Sequence, residues 1–218
     1  MNKKINSPFS LLDRLICEAD HALRNVCRSQ HTQSKQPNPS QAYSEAKLTQ
    51  QQRKHSAGLM RVDHTGEVCA QALYRGQALM ASSEKTRQHL LHAADEENDH
   101  RIWCKQRLDE LDSRPSILDA FWYWGAFKIG CVAGFVNDKV SLGFISETEK
   151  QVEAHLANHL QSLPEADQKS RTILAKMRED EIRHAHDAEQ AGGMTLPKSI
   201  TFIIRVQSKI MTSIAYYL

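Results

Sequence analysis

The pattern Glu-x-x-His occurs twice in this chain, in "DEENDHRIW" at residues 95–103 and in "REDEIRHAH" at residues 178–186. Residues three or four positions apart lie on one face of an α-helix. Apolar residues recur at the same steps on either side of each pair, so both pairs are predicted to point into the protein interior. A buried ionised carboxylate is costly unless it is paired or bound to a metal ion. The two stretches therefore predict a polar site inside a helical protein.

Four predicted helices carry an apolar stripe that is interrupted at one level by acidic residues or histidines. In the two Glu-x-x-His helices, the stripes are Leu90, Ala93, Glu97, His100, Cys104, Leu108, Leu111 and Ile173, Met177, Glu181, His184, Ala188, Ala191. The other two helices contribute one glutamate each, in the stripes Met60, His64, Glu67, Ala70, Tyr74, Ala78, Ala81 and Leu142, Ile145, Glu149, Val152, Leu156, Leu160, Leu163. Glu147 and Glu153, which flank Glu149, fit this stripe less well.

Turn residues lie midway between the predicted site residues, as antiparallel hairpins require. The midpoint of positions 67 and 97 falls at Ser82-Ser83, and that of positions 149 and 181 falls beside Pro164. The stretch between positions 97 and 149 is too long for a short turn and indicates one long crossover. With turn residues as boundaries, and with no alternating strand pattern, the sequence predicts helices at 48–81, 84–112, 116–136, 138–162, 165–191 and 197–217.

One glutamate from each of two helices and a Glu-x-x-His from each of two others is the layout of ferritin-like di-metal carboxylate bundles. The predicted metal ligands are Glu67, Glu97, His100, Glu149, Glu181 and His184. Four carboxylates and two neutral imidazoles carry four negative charges, which two divalent ions would balance. Oxygen and imidazole ligands without thiolate suit iron or manganese better than structural zinc. The predicted fold class is all-α, a ferritin-like four-helix bundle with one long crossover plus additional interfacial and C-terminal helices.

Three side chains near the predicted ligands are candidates to support the metal site. His64 lies three residues before Glu67, and His155 is near Glu149, so each could hold a ligand in place. A histidine that is satisfied within its own helix is the alternative for His64, and a solvated charge is the alternative for His155. Tyr74 shares the face of Glu67 and is expected to be a packing residue rather than a radical site. The remaining charged neighbours are expected to be solvated: Glu179, Asp180 and His186.

Composition argues against several classes of protein. The chain has 218 residues, a formal net charge of +2 and a mean hydropathy of −0.55, which predict a globular core and no electrostatic affinity for nucleic acid. Five scattered cysteines without a Cys-x-x-Cys pair argue against a disulfide scaffold and a cysteine zinc site, and favour a reducing compartment. We recognise no nucleotide-binding glycine loop and expect no secretory signal.

The chain divides into a predicted N-terminal region, residues 1–46, and a predicted bundle, residues 47–218. The N-terminal region should contain an amphipathic helix over 8–28 and a polar linker over 29–46. In the bundle, the apolar stretch "ILDAFWYWGAFKIGCVAGFVNDKVSLGFI" covers residues 117–145. Its unbroken apolar runs, 120–127 and 129–136, are shorter than the ~18–20 residues of a membrane span.

Two segments are predicted to meet an apolar environment outside the bundle core. Residues 117–136 are expected to lie on a bilayer, facing the membrane, or to line an apolar groove, with a buried core helix as the alternative. The C-terminal helix has Lys198, Arg205 and Lys209 on one side and apolar residues on the other. It is predicted to be a second interfacial element or a helix that docks on the bundle.

With these residues in view, the sequence resembles the demethoxyubiquinone hydroxylase family of ubiquinone biosynthesis, in its bacterial branch. The likeness covers about residues 10–218 and is carried by "LMRVDHTGEVCAQALYRGQAL" at 59–79, "EENDHRIWCKQRLDEL" at 96–111, "SRPSILDAFWYWGAFKIGCVAG" at 113–134, "VSLGFISETEKQV" at 140–152 and "MREDEIRHAHDAEQAGG" at 177–193. The first stretch is highly specific, whereas Glu-x-x-His pairs alone would fit any ferritin-like diiron protein. By position, the iron ligands of the family fall on the six residues named above.

The resemblance implies a membrane-associated diiron monooxygenase that hydroxylates the ring of demethoxyubiquinone, or demethoxyubiquinol, with O2. It implies two iron ions (Fe2+) per chain, O2 as the co-substrate and NADH as a candidate electron source. The implied partners are a polyprenylated quinone substrate, the membrane surface and other ubiquinone-biosynthesis proteins. The implied location is peripheral, on the cytoplasmic side of the cell membrane. A ferritin-like ferroxidase or iron-handling protein is the alternative on the same bundle, and a metal-free helical membrane adaptor is a third.

Overall fold

Helices make up the regular structure of the described part of the chain, which comprises residues 13, 16–18, 20 and 34–218 of the computed structural model. From residue 34 onward, a short 3₁₀ helix, Pro39–Ala42, precedes six α-helices. They are α1 Gln50–Met80, α2 Glu84–Glu110, α3 Asp119–Val136, α4 Asp138–Ser162, α5 Gln168–Gln190 and α6 Lys198–Ala215. The predicted all-α fold class is confirmed, and the predicted helices differ from the observed ones by only a few residues at either end.

Polar side chains cap the N-termini of the bundle helices. Thr49 forms a capping box at the start of α1. The Ser83 hydroxyl accepts a hydrogen bond from the backbone N–H of Thr86 at 3.0 Å, and Asn137 and Asp167 cap α4 and α5 in the same way. Because these side chains satisfy N–H groups that have no partner inside the helix, they fix where each helix begins.

Two antiparallel hairpins, α1–α2 and α4–α5, form the bundle, and α3 packs along α1 in the crossover between them. Two clusters of buried apolar residues fill the interior. One cluster includes Met60, Trp103, Leu156 and Met177, and the other includes Tyr74, Leu90, Ile145 and Ala188. On each of the four bundle helices, the predicted site residues fall between the two clusters. Apolar packing therefore closes the site at both ends along the bundle axis.

Glycines allow α1 and α3 to approach each other closely. A Cβ atom on Gly130 would lie 2.1 Å from the carbonyl oxygen of Leu73. One on Gly76 would lie 2.3 Å from the carbonyl oxygen of Phe127. Since no larger residue fits at these positions without a shift of the backbone, the close contact fixes the crossover helix on α1.

The predicted apolar segment 117–136 contains the whole of α3, which has one buried and one exposed apolar face. Tyr123 and Phe127 pack against α1, whereas Phe121 is 67% exposed and Phe135 is 75% exposed. The outer helix α6 contacts α1 and α4 and also exposes apolar side chains, namely Phe202, Ile203, Val206 and Ile210. Among the described helices, none combines the length and the apolar character needed to cross a membrane.

The described part of the N-terminal region contacts the first hairpin. Residues 13, 16–18 and 20 are helical, and the Glu18 carboxylate pairs with the Arg75 guanidinium at 2.6 Å. The backbone N–H groups of Lys35 and Gln36 donate hydrogen bonds to the Asp99 carboxylate at 2.7 and 3.0 Å. The rest of the predicted helix 8–28, and the first residues of the predicted linker 29–46, lie outside the described residues.

Candidate metal centre

Four glutamates and two histidines converge in the interior of the bundle. They are Glu67 of α1, Glu97 and His100 of α2, Glu149 of α4, and Glu181 and His184 of α5. All six are buried, and none is more than 5% exposed. The structure therefore brings together the six residues that were predicted from the apolar periodicity of the four helices. On α4, Glu149 faces the cluster, whereas Glu147 bonds to Gln151 and Glu153 pairs with Arg178.

The six side chains form two overlapping groups of four. One group is Glu67, Glu97, His100 and Glu181, and the other is Glu97, Glu149, Glu181 and His184. Within each group, the candidate ligand atoms lie within 4.8 Å of one another. Glu97 and Glu181 belong to both groups, so each can offer one oxygen to either side. Such an arrangement can hold two metal ions with these two carboxylates between them.

Both histidines face the cluster with Nδ1. The Nδ1 atom of His100 lies 3.0 Å from Oε2 of Glu97 and 3.5 Å from Oε1 of Glu181. The Nδ1 atom of His184 lies 3.0 Å from the other oxygen of Glu97, Oε1. Glu97 thus lies between the two imidazoles, with one carboxylate oxygen near each.

The outer nitrogen of each imidazole contacts a carboxylate from the opposite hairpin. Nε2 of His100 lies 3.2 Å from Oδ2 of Asp180, and Nε2 of His184 lies 3.1 Å from Oε2 of Glu96. An ionised carboxylate can only accept a hydrogen bond, so each contact requires a proton on Nε2. It thereby fixes the tautomer that directs the Nδ1 lone pair at a metal ion.

The sequence-based expectation that Asp180 is a solvated charge is wrong, since Asp180 is 5% exposed and bonds to His100. Glu96 was not singled out at all. A signal for both was present: an acidic residue directly precedes the glutamate of each Glu-x-x-His pair, in "EENDH" at 96–100 and "DEIRH" at 180–184. On the outer side, Lys176 and Arg183 lie 3.0 and 3.3 Å from Asp180 and offset its charge.

The cluster holds more carboxylate charge than its own histidines offset. Burial, together with the charge of Glu97, raises the pKa of Glu67 well above its usual value. Burial and the charge of Glu181 do the same to the pKa of Glu149. Burial also opposes the ionisation of Glu97, but His184 and His100 outweigh it and hold the pKa of Glu97 well below its usual value. Further positive charge is needed before all four glutamates can be ionised together.

Several buried atoms of the cluster point to a cation as the source of that charge. Among the described residues, no hydrogen-bond partner exists for three carboxylate oxygens of the cluster, Glu67 Oε2, Glu149 Oε1 and Glu181 Oε2. Buried polar atoms without partners are rare in proteins and call for an explanation such as an ion. Four carboxylates and two imidazoles are donors that suit iron or manganese, and their charge matches two divalent ions. The residues present fit a two-metal site.

The three supporting candidates from the sequence lie at different places. Nδ1 of His64 is 3.2 Å from Oδ2 of Asp119, at the start of α3. The ring of His155 lies beside that of His159, one turn further along α4, with their centroids 3.9 Å apart. Neither His64 nor His155 belongs to the two groups of four. Tyr74 is buried, and its hydroxyl finds no hydrogen-bond partner in the part of the chain that the structure describes.

An apolar cavity of about 270 Å³ lies beside the cluster, between α1, α3, α4 and α6. Glu149 and Tyr74 both form part of its wall. Most of the remaining lining is apolar and includes Leu73, Phe121, Trp122, Ile129, Phe144, Val152 and Met211. The cavity therefore connects the carboxylate cluster with the side of the bundle on which α3 and α6 expose their apolar residues.

The fold and the site define a ferritin-like helical bundle with a buried carboxylate–histidine centre. Comparison with known proteins gives the family: residues 54–215 match the family described as "Ubiquinone biosynthesis protein COQ7", and the chain belongs to this family. A protein from Francisella tularensis subsp. novicida (strain U112), named 3-demethoxyubiquinol 3-hydroxylase, is 54% identical over 208 residues, which cover 95% of this chain and 98% of that one. A protein of the same name from Ralstonia pickettii (strain 12J) is 52% identical over 217 residues, with coverages of 94% and 99%.

Proposed function

We propose that this chain hydroxylates the ring of a polyprenylated demethoxyubiquinol in ubiquinone biosynthesis, the reaction for which its relatives are named. The observation that carries the proposal is the wall position of Glu149, which belongs both to the carboxylate cluster and to the apolar cavity. A quinol ring in this cavity would lie next to the cluster, and its isoprenoid tail would meet apolar side chains. Iron oxidation or storage requires no such cavity, so the cavity favours the hydroxylase over the ferroxidase.

Two iron ions fit the six cluster residues by charge and donor type. Bound iron would supply the activation of O2, so that one oxygen atom enters a ring C–H bond and the other leaves as water. This stoichiometry requires two electrons and two protons besides O2, and NADH is the candidate source of the electrons. The residues of the two groups of four would hold the ions, with Glu97 and Glu181 available to both groups, while Asp180 and Glu96 hold the imidazoles in the ligating orientation.

The chain contributes a dry and shaped environment for this reaction. The two apolar clusters on either side of the site keep water away along the bundle axis, and the cavity walls keep it away from the ring. The Tyr74 hydroxyl is a buried donor without a partner among the described residues, and Tyr74 is one of the residues that line the cavity. We infer that it donates a hydrogen bond to a ring oxygen of the substrate.

The substrate class suggests a location at a membrane surface. The exposed apolar residues lie on α3 and α6, which are two of the four helices that line the cavity, and Lys128, Arg205 and Lys209 are exposed on the same two helices. An apolar face with basic residues is typical of elements that lie in the bilayer interface. We therefore propose peripheral attachment on the cytoplasmic side of the cell membrane, from which the quinol enters the cavity directly.

Quinone profiling of cells tests the proposed function. Cells that lack this protein should accumulate demethoxyubiquinone and contain little ubiquinone, as measured by mass spectrometry of lipid extracts. Wild type and a Glu179→Ala variant should restore ubiquinone, whereas Glu181→Ala should not. Glu179 is the matched control because it lies on the same helix with a side chain that is 75% exposed. An unchanged quinone composition in the deletion strain would exclude the proposal.

A further inference from the structure

A second group of metal-binding side chains lies outside the carboxylate cluster. Asp63 of α1 faces His155 and His159 of α4, and candidate ligand atoms of the three residues lie within 4.8 Å of one another. Nδ1 of His159 is 2.8 Å from Oδ1 of Asp63. Asp63 and His159 are buried, and His155 is partly buried.

The position of the three residues makes this group distinct from the carboxylate cluster. Asp63 precedes Glu67 by four residues, which is about 6 Å along the axis of α1. His155 and His159 follow Glu149 on α4, which runs antiparallel to α1, so they lie at the same end of the bundle as Asp63. None of the three belongs to the two groups that contain the six cluster residues.

An ion pair between Asp63 and His159 explains only part of this arrangement. Nε2 of His155 is buried and finds no hydrogen-bond partner among the residues that the structure describes. The His155 ring lies against the His159 ring at 3.9 Å between centroids, although a second imidazole adds nothing to an ion pair with Asp63. Burial and the neighbouring His159 lower the pKa of His155, so its imidazole is neutral and able to ligate.

Two imidazoles and one carboxylate are a common ligand set for divalent transition metal ions. Histidines at positions i and i+4 of a helix present both rings on one face and can bind the same ion. A carboxylate from a facing helix then completes three protein ligands, and water fills the remaining positions. The distances among Asp63, His155 and His159 match this requirement without a change of backbone.

We propose that Asp63, His155 and His159 form a mononuclear site for a divalent transition metal ion of the zinc type, separate from the carboxylate cluster. The ion ties α1 to α4 at a level about one turn before Glu67 on α1 and about two to three turns after Glu149 on α4. Zinc, cobalt and ferrous ions share the donor preference of this set, and Zn2+ is the probe chosen here because it has no redox chemistry.

Zinc stoichiometry of the full chain tests the proposal. The protein is stripped with a chelator, dialysed against Zn2+ and assayed for bound zinc by elemental analysis. We expect His155→Gln and Asp63→Asn each to bind one zinc ion fewer per chain than the wild type. The readout is the difference in zinc content between each variant and the wild type, so it does not depend on how many ions the carboxylate cluster binds. Failure of the proposed hydroxylase function would not produce this difference.

Two controls separate a built site from adventitious binding. His186→Gln removes an exposed histidine of α5, and it should bind as much zinc as the wild type. Circular dichroism should show unchanged helicity for His155→Gln, because its Nε2 atom has no described hydrogen bond to lose. Equal zinc content in His155→Gln and the wild type would overturn the proposal, and so would an equal loss in His186→Gln.

Discussion

Asp180→Asn should weaken the binding of one of the two proposed iron ions. The substitution keeps the shape of the side chain and an acceptor oxygen near Nε2 of His100, which lies 3.2 Å from the native carboxylate. It removes the negative charge that polarises the imidazole. His100 belongs to only one of the two groups of four, so the ion held by the other group, which contains His184, should be little affected.

The expected loss of iron affinity follows from the changed contact between residue 180 and the His100 imidazole. A hydrogen bond to a charged group contributes about 1.5–3 kcal/mol, and loss of such a support typically lowers metal affinity about 10–100-fold. We therefore expect the binding free energy of the ion held by the group that contains His100 to weaken by about 1.4–2.8 kcal/mol. Lys176 and Arg183 also pair with Asp180, but these pairs are partly exposed and contribute little to folding stability.

Anaerobic titration with Fe2+ measures this effect, with the iron retained per chain after gel filtration as a second readout. Asp180→Asn should retain close to one iron ion where the wild type retains two. Glu179→Gln is the matched control and should retain two, because Glu179 is adjacent in sequence but exposed. Wild-type affinity for both ions in Asp180→Asn would refute the argument that this carboxylate holds His100 in its ligating orientation.

Three further predictions concern the fold, the membrane face and the substrate. Gly130→Ala should lower the free energy of unfolding by about 1–3 kcal/mol in urea titrations, because its Cβ would overlap α1. Gly125→Ala, which meets no atom within 4 Å, should be neutral or stabilising, and equal effects would contradict the close contact of α1 and α3. Phe135→Ser should reduce sedimentation with anionic lipid vesicles several-fold, whereas Ile182→Ser, an exposed residue of α5, should not; equal binding by both would count against α3 as the membrane face. Tyr74→Phe should raise KM for a soluble quinol analogue about 2–10-fold at unchanged iron content, and an unchanged KM would mean that its hydroxyl does not contact the ring.

Helix positions could be predicted because local residues decide them. Ser83 and Asn137 cap helices within a residue of the predicted starts. At two starts where prediction and structure differ, a local hydrogen bond from a backbone N–H to a side chain accounts for the difference. The predicted start at 165 lies in a turn, since Asp167 caps α5 and the helix begins at Gln168. The predicted start at 116 also lies in a turn, in which the Ser116 hydroxyl accepts from the backbone N–H of Leu118.

The six cluster residues could be predicted to lie together because the apolar periodicity of the sequence shows which face of each helix is buried, and the six residues fall on those faces. Their metal binding remains a prediction. The roles of Glu96 and Asp180 could not be read in this way, because each acts on a histidine of another helix. A residue next to a cluster glutamate points about 100° away from it, so its partner depends on how the hairpins pack. The same holds for the cavity, whose fourth wall is the separately docked helix α6.

The crossed contacts at the two imidazoles have a consequence for how the chain assembles. Asp180 of the second hairpin holds His100 of the first, and Glu96 of the first holds His184 of the second. Neither hairpin, expressed alone, would contain the carboxylate that orients its histidine. The centre is therefore completed only when the two hairpins dock. A chain whose hairpins have not docked correctly is expected not to bind iron, rather than to bind it in an exposed and reactive form.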